Sequence, residues 1–96
     1  MARVELSAAA VADLQALIHT RSLPGDAPAR VARSLRALEQ FPLMGPELPG
    51  RWSGLRFLLG PWRWMLLVYA VLDDGERVVV VTIQDARSAS AATRER

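Results

Sequence analysis

The chain has no cysteine, no lysine and only one histidine, His19, among its 96 residues. Without cysteine it can form neither a disulfide scaffold nor a cysteine-ligated zinc site, and it has no thiol nucleophile. One histidine is too few for a metal centre built on histidine ligands. No glycine-rich phosphate-binding motif is present either. The composition therefore predicts a protein with no metal and no cofactor.

No hydrophobic run is long enough to cross a membrane, since the longest extends only from Trp64 to Leu72. A transmembrane helix needs about 20 apolar residues. The first residues, Met1–Glu5, have no hydrophobic region of the kind found in signal peptides. These features predict a single soluble cytoplasmic domain over residues 1–96. Its tail from about residue 88 is small and polar, and we expect it to be disordered.

All twelve basic residues are arginine, and they exceed the ten acidic residues by a net charge of only +2. This excess is too small to predict a nucleic-acid-binding protein by itself. Its distribution is uneven, because residues 41–72 contain Arg51, Arg56 and Arg63 but only one carboxylate, Glu47. Arginine presents a planar, permanently charged donor group that suits phosphate or carboxylate.

The first half of the chain predicts one strand and two helices. Residues Arg3–Leu6 alternate with period two and indicate a short strand. Ser7 is placed to cap a first helix over about residues 8–19, and Asp26 is placed to cap a second helix that ends before Pro42. The predicted apolar stripes of the two helices are Val11, Leu14, Leu17 and Ile18, and Val31, Leu35, Leu38 and Phe41.

The second half predicts three strands after a loop rich in glycine and proline over residues 43–54. The strands cover Leu55–Leu59, Trp62 or Trp64 to Leu72, and Arg77–Gln84. Asp74-Gly75 between the last two is typical of a type I′ hairpin turn. The order predicts an α+β fold, in which a helical hairpin packs on one face of a mainly antiparallel sheet.

The longest predicted strand, around Tyr69, is apolar on both of its faces. Two helices can cover only one face of a sheet, so the other face either closes on the chain itself or binds a partner. We favour a partner, and Leu67, Tyr69 and Val79 are the candidate contacts.

The residues that could carry chemistry leave two interpretations open. Arg51, Arg56, Arg63 and Arg87 either bind a backbone phosphate or are solvated charges at strand ends. Trp62 and Trp64 either stack on bases or pack at the rim of the sheet.

An ordered set of short segments resembles the RelE/ParE family of toxins from type II toxin–antitoxin systems. The segments are Arg3–Ser7, Asp13-Leu14, Ala37–Pro42, Gly54–Arg56 and Val68-Tyr69. The resemblance implies a toxin that inhibits growth, takes part in plasmid stabilisation, and forms a hetero-oligomer with a small antitoxin. The RelE-like branch cleaves mRNA on the ribosome, and the ParE-like branch poisons DNA gyrase.

The resemblance also assigns candidate residues. Arg56 matches the arginine of the family's Gly-Leu-Arg strand, Arg63 resembles that of its Gly-Tyr-Arg segment, and Arg87 matches an arginine after the last strand. These three are candidate catalytic groups that stabilise phosphate charge, with Arg51, Trp62 and Trp64 as candidate target contacts. No tyrosine or histidine follows Tyr69, although RelE-like toxins often use one for proton transfer. Gyrase poisoning, weak mRNA cleavage, a non-toxic family member and a small interaction domain that binds a partner helix therefore stay open.

Overall fold

The computed structural model describes residues 1–88 and residue 91. The elements are β1 (Arg3–Leu6), α1 (Ala8–Thr20), α2 (Ala27–Leu35), β2 (Arg56–Leu59), β3 (Met65–Leu72) and β4 (Arg77–Asp85). A 3₁₀ turn over Arg36–Glu39 continues α2. Most of the tail for which we predict disorder, residues 89–90 and 92–96, lies outside the described residues.

The four strands form one mixed sheet in the order β1-β4-β3-β2. β2, β3 and β4 form an antiparallel meander, and β1 pairs in parallel with β4 through a register that sets Val4 beside Val78. This arrangement confirms the predicted α+β fold with its helical hairpin. No helix in residues 1–88 has both the length and the apolar character that spanning a membrane requires.

The helices cover one side of the sheet, which we call the helical face, and form the main core with it. Ala10 and Leu14 of α1 and Val31 and Leu35 of α2 are buried there. The strands contribute Met65, Leu67, Tyr69, Val78, Val80 and Ile83, each at most 2% exposed.

Two residues predicted to lie in this core, Val11 and Phe41, are exposed by 42% and 61%. α1 turns Ala10 and Leu14 toward the sheet, so Val11 lies at the outer border of the helix. Phe41 follows the 3₁₀ turn, which has about three residues per turn instead of 3.6. The helical spacing that predicted its burial therefore does not extend to Phe41.

A β-bulge in β4 changes which of its residues face the helices. Thr82 pairs with Val68 and Val80 pairs with Tyr69, so Val81 between them has no residue opposite. The buried positions of β4 consequently switch from even to odd numbers at the bulge, and Ile83 and Asp85 face the helical side.

The opposite side of the sheet, which we call the second face, is partly covered by the chain itself. Leu48 is buried in the loop over residues 43–55, and with Trp52 and Leu55 it packs on Leu66 and Val68 of β3. The expectation that a partner covers this face is therefore corrected for its β2–β3 half. The glycines and prolines predicted a loop here, but they gave no indication that its apolar side chains pack on the sheet.

The turn between β3 and β4 has the predicted type I′ features. Asp74 (φ 54°, ψ 36°) and Gly75 (φ 89°) are left-handed, and the Glu76 N–H donates to the Asp73 carbonyl oxygen at 3.0 Å. Asp73 is also left-handed, at φ 53°. Strand pairing therefore ends one pair earlier than in a two-residue hairpin, and the loop is longer than predicted.

The two predicted helix caps differ, and this difference gives a matched test. The Ser7 hydroxyl accepts the Ala10 N–H at 3.0 Å and donates to the Val81 carbonyl at 3.1 Å. Asp26 makes no capping bond and pairs instead with Arg30 at 3.0 Å.

We expect Ser7→Ala to lower the free energy of unfolding by about 1 kcal/mol and Asp26→Ala by less than about 0.5 kcal/mol. Urea denaturation measures both, and equal losses would contradict this assignment.

Candidate functional site

Arg56, the first residue of β2, is bound by the loop over residues 43–55. Its Nη1 donates to the carbonyl oxygens of Leu43 at 3.1 Å and Gly45 at 2.7 Å. Its Nη2 lies 3.8 Å from the Glu47 carboxylate, and only 24% of the side chain is exposed. Arg56 therefore anchors the loop, and it would have to release these contacts to bind a phosphate.

Tyr69, the only tyrosine in the sequence, is fully buried in β3. Its hydroxyl oxygen accepts a hydrogen bond from the Gly45 N–H at 2.9 Å. Burial raises the pKa of Tyr69 above its ordinary value, although the Gly45 bond and the Arg56 charge act in the opposite direction. The phenol is therefore a buried structural group, inaccessible to a substrate.

Trp62 and Trp64 stack on each other just before β3, with ring centroids 6.5 Å apart and planes inclined by 27°. The guanidinium of Arg30 lies 5.5 Å from the Trp62 ring, and that of Arg87 lies 5.1 Å from the Trp64 ring. We call these four residues the Arg–Trp stack. Cation–π contacts of this kind orient both indoles.

Asp85 joins the end of β4 to the Arg–Trp stack. Its Oδ1 accepts the Arg87 N–H at 2.9 Å and the Arg87 Nε–H at 3.0 Å, and its Oδ2 accepts from Nη2 of Arg87 at 2.9 Å and of Arg21 at 2.7 Å. The side-chain bond to Arg87 lowers the pKa of Asp85 well below its usual range, against the effect of desolvation. Asp85 is thus an ionised, acceptor-only group.

The structure does not gather the three candidate catalytic arginines into one cradle. Arg56 pairs across the sheet with Tyr69, whereas Asp85, which binds Arg87, pairs with Met65. At about 3.3 Å per residue these two positions are about 13 Å apart along β3. The two guanidinium groups are also bound by different partners, one by the loop and one by a carboxylate.

The other two candidate arginines differ, since Arg63 lies at the same end of the sheet as Arg87 and Arg51 does not belong to either group. Arg63 is exposed between the two stacked tryptophans and makes no hydrogen bond or ion pair within the described part of the chain. Arg51 belongs to the loop on the second face and lies 5.8 Å from the Trp52 ring. Arg63 is therefore the candidate residue best placed to contact a target.

The three candidate antitoxin contacts are divided between the two sides of the sheet. Leu67 and Tyr69 have no accessible surface and belong to the core of the helical face, so they do not line an open surface. Val79 lies beside Ala70 on the second face and is only partly buried.

Sequence reasoning missed the roles of Asp85, Arg21 and Arg30. The only local signal was the spacing of Asp85 and Arg87, two residues apart at the end of a predicted strand. Arg21 lies 64 positions from Asp85, and that contact depends on how α1 crosses the sheet. Among the described residues, no group of three or more acidic or histidine side chains is placed to hold a metal ion.

A family model described as "ParE toxin of type II toxin-antitoxin system, parDE" matches residues 4–89. The chain belongs to this toxin family. No curated protein matches the sequence. The match confirms the family resemblance, and it identifies this ParE-family chain as the toxin component of a type II toxin–antitoxin system.

Solved structures show the same fold. The toxin–antitoxin complex RelBE2 of Mycobacterium tuberculosis has a chain 22% identical, with a TM-score of 0.65 over 88% of this chain and 96% of that one. A chain of the chromosomal ParDE system of Pseudomonas aeruginosa is 20% identical, with a TM-score of 0.70 over 91% of this chain and 98% of that one. A conserved protein of Helicobacter pylori is 20% identical, with a TM-score of 0.58 over 86% of this chain and 92% of that one. At these identities the likeness concerns the fold alone.

The ionisation of Tyr69 should make the free energy of unfolding depend on pH, and the Tyr69→Phe variant removes that dependence. Because the pKa of Tyr69 is raised in the folded chain above the ordinary 10.0, its contribution to stability is present below about pH 10 and is lost as pH rises through the folded value. The sequence has no lysine or cysteine to titrate in the same range. We expect the free energy of unfolding of the wild type to fall above about pH 10, and that of Tyr69→Phe to stay flat.

At neutral pH, Tyr69→Phe leaves the buried Gly45 N–H without its acceptor, so we expect a loss of about 1–2 kcal/mol. Urea denaturation over a pH series measures both effects. Parallel curves for the two proteins above pH 10 would show that the raised pKa is not coupled to folding.

Asp85 should make stability depend on pH in the opposite direction, with the loss at low pH. Its lowered pKa in the folded chain contributes stability above the ordinary value of 3.8, and this contribution is lost as pH falls below it. We therefore expect Asp85→Asn to be less stable than the wild type at pH 7, with a difference that shrinks below about pH 4. Asp26→Asn, at an exposed ion pair, is the matched control and should change stability little. A deficit for Asp85→Asn that is independent of pH would contradict this interpretation.

Proposed function

We propose that this ParE-family chain arrests growth by binding DNA gyrase, and that a small cognate antitoxin neutralises it. The observation that carries the proposal is that the candidate phosphate-binding groups Arg56 and Arg87 are both occupied by contacts within the chain. A toxin with this arrangement is better suited to bind a protein target than to cleave RNA.

RNA cleavage through the 2′-hydroxyl needs groups that transfer protons, which typically contribute 10²–10⁴-fold. Tyr69 is buried and has a raised pKa, and Asp85 stays ionised against two arginines. His19 is exposed in the last turn of α1 and makes no hydrogen bond or ion pair with any described residue. Tyr69 and Asp85 are therefore unsuited to donate a proton, and no hydrogen bond or ion pair within the described residues positions His19 to do so.

Arg63 is the residue that we assign to target binding. It is exposed between Trp62 and Trp64, which stack on each other and lie against Arg30 and Arg87. Because Arg63 makes no hydrogen bond or ion pair with any described residue, its guanidinium can bind a carboxylate or a carbonyl oxygen of a target without first releasing a contact within the chain. Because Arg30 and Arg87 already lie against the indoles, the rings are less available for stacking on bases.

The antitoxin partner is supported by the similar structures, which include the toxin–antitoxin complex RelBE2 and a ParDE toxin–antitoxin system. On this chain we propose the partly exposed β1–β4 half of the second face, around Val79, as the antitoxin contact. The loop over residues 43–55 covers the other half, so an antitoxin would complete the cover and not provide all of it.

The proposal predicts growth arrest on expression alone and its reversal when the cognate antitoxin is co-expressed. Purified protein should inhibit supercoiling of relaxed plasmid by DNA gyrase and should not cleave mRNA on translating ribosomes. We expect Arg63→Ala to weaken gyrase inhibition at least tenfold while changing the free energy of unfolding by less than about 0.5 kcal/mol, as is usual for an exposed side chain.

Arg33→Ala is the matched control, because Arg33 is also exposed and lies on α2. It should leave inhibition and stability unchanged. Ribosome-dependent mRNA cleavage without gyrase inhibition would overturn the proposed target. Normal growth with folded protein present would favour a non-toxic member of the family.

A further inference from the structure

A groove of about 710 Å³ opens at the end of the sheet far from the Arg–Trp stack. Its walls come from the amino terminus, from the segment that follows the 3₁₀ turn, and from the β3–β4 turn with Asp74 and Glu76. The Arg–Trp stack precedes β3, whereas this turn follows it. The eight residues of β3, or about 26 Å, therefore separate this turn from the Arg–Trp stack, and Arg56, where the groove comes nearest along β3, is about 13 Å from the Met65 end.

Exposed apolar side chains gather at this groove. Two of the seven large apolar side chains that are exposed in the described residues line it: Met1 and Leu43, at 84% and 61%. Phe41 and Met44, exposed by 61% and 52%, belong to the turn that contains Leu43. Clusters of exposed apolar residues mark protein interaction sites more often than chance surface does.

The charge of the groove is opposite to that of the chain. Its lining contains the carboxylates of Glu39, Glu47, Asp74 and Glu76, against the guanidinium of Arg56 and the amino group of Met1. Glu47 faces Arg56 at 3.8 Å. The side chains of the other three carboxylates have no hydrogen bond or ion pair with any described residue. The groove is thus acidic in a protein of net charge +2.

From this combination we propose that the groove is a docking site for a basic, amphipathic segment of a partner protein. The apolar side chains of the segment would contact Leu43 and its neighbours, and its arginine or lysine side chains would pair with Glu39 and Glu76. Charge complementarity favours such a segment over an acidic one, because like charges brought together cost free energy and slow association. The site is separate from Arg63, so its test does not depend on the gyrase assay.

The test uses the full-length protein and three labelled synthetic peptides: one alternating leucine and arginine, one alternating leucine and glutamate, and one alternating serine and arginine. We expect the first to bind, and the other two to bind at least tenfold more weakly. Glu39→Gln/Glu76→Gln should weaken binding of the first peptide at least tenfold. Glu5→Gln/Asp26→Asn, which removes the same charge elsewhere, should leave it unchanged.

Leu43→Ser should also weaken binding at least tenfold, since the side chain is exposed and its loss leaves the core intact. Equal effects of the two double variants would show unspecific attraction of cations and overturn the proposal. Sedimentation of the protein alone provides a further check. Concentration-dependent self-association that Glu39→Gln/Glu76→Gln abolishes would assign the groove to a second copy of the chain, which would also overturn the proposal.

Discussion

The loop over residues 43–55, which covers half of the second face of the sheet, depends on Gly45. Side chains from two neighbouring strands bind both backbone polar groups of this residue. Its N–H donates to the Tyr69 hydroxyl, and its carbonyl accepts from Arg56. A Cβ at this position would clash with the Phe57 carbonyl oxygen and the Tyr69 hydroxyl, so only glycine fits. These contacts position the loop that places Leu48 on the second face, and the removal of any one of them would loosen that apolar layer.

The same contacts give Arg56 a structural role, different from the phosphate binding considered from the sequence. An arginine at the start of a strand, in a segment with an excess of positive charge, is a reasonable candidate for binding phosphate. In the folded chain its guanidinium donates to the carbonyl oxygens of Leu43 and Gly45 in the loop. Its charge also acts on Tyr69. Residue type and local charge identified an arginine that matters, but the structure gives it a role in holding the loop.

The parts of the fold set by local sequence could be predicted, and the parts set by distant contacts could not. Both helices, the strands, the Ser7 cap and the Asp74-Gly75 turn follow from periodicity and from the preferences of single residues. The burial of Leu48 and the pairing of Arg21 with Asp85 join segments far apart in sequence, for which neither periodicity nor spacing carries a signal. The same limit explains why the sequence left open whether Arg51, Arg56, Arg63 and Arg87 bind a phosphate or are solvated charges, since the partners that bind Arg56 and Arg87 are revealed only by the folded chain.

The unpaired Val81 has a consequence for the tolerance of β4 to insertions and deletions. Because Val81 is the extra residue, its deletion would keep Ile83 and Asp85 on the helical face, whereas strict alternation of the full strand without a bulge would turn Gln84 inward and Asp85 away from α1. The carboxylate would then leave both of its guanidinium partners, and Arg87 would lose the contact that places it over Trp64. The alternation of a single strand thus decides whether this end of the sheet is bound to the helices, and one residue inserted between Thr82 and Asp85 should be tolerated less readily than one inserted in a surface loop.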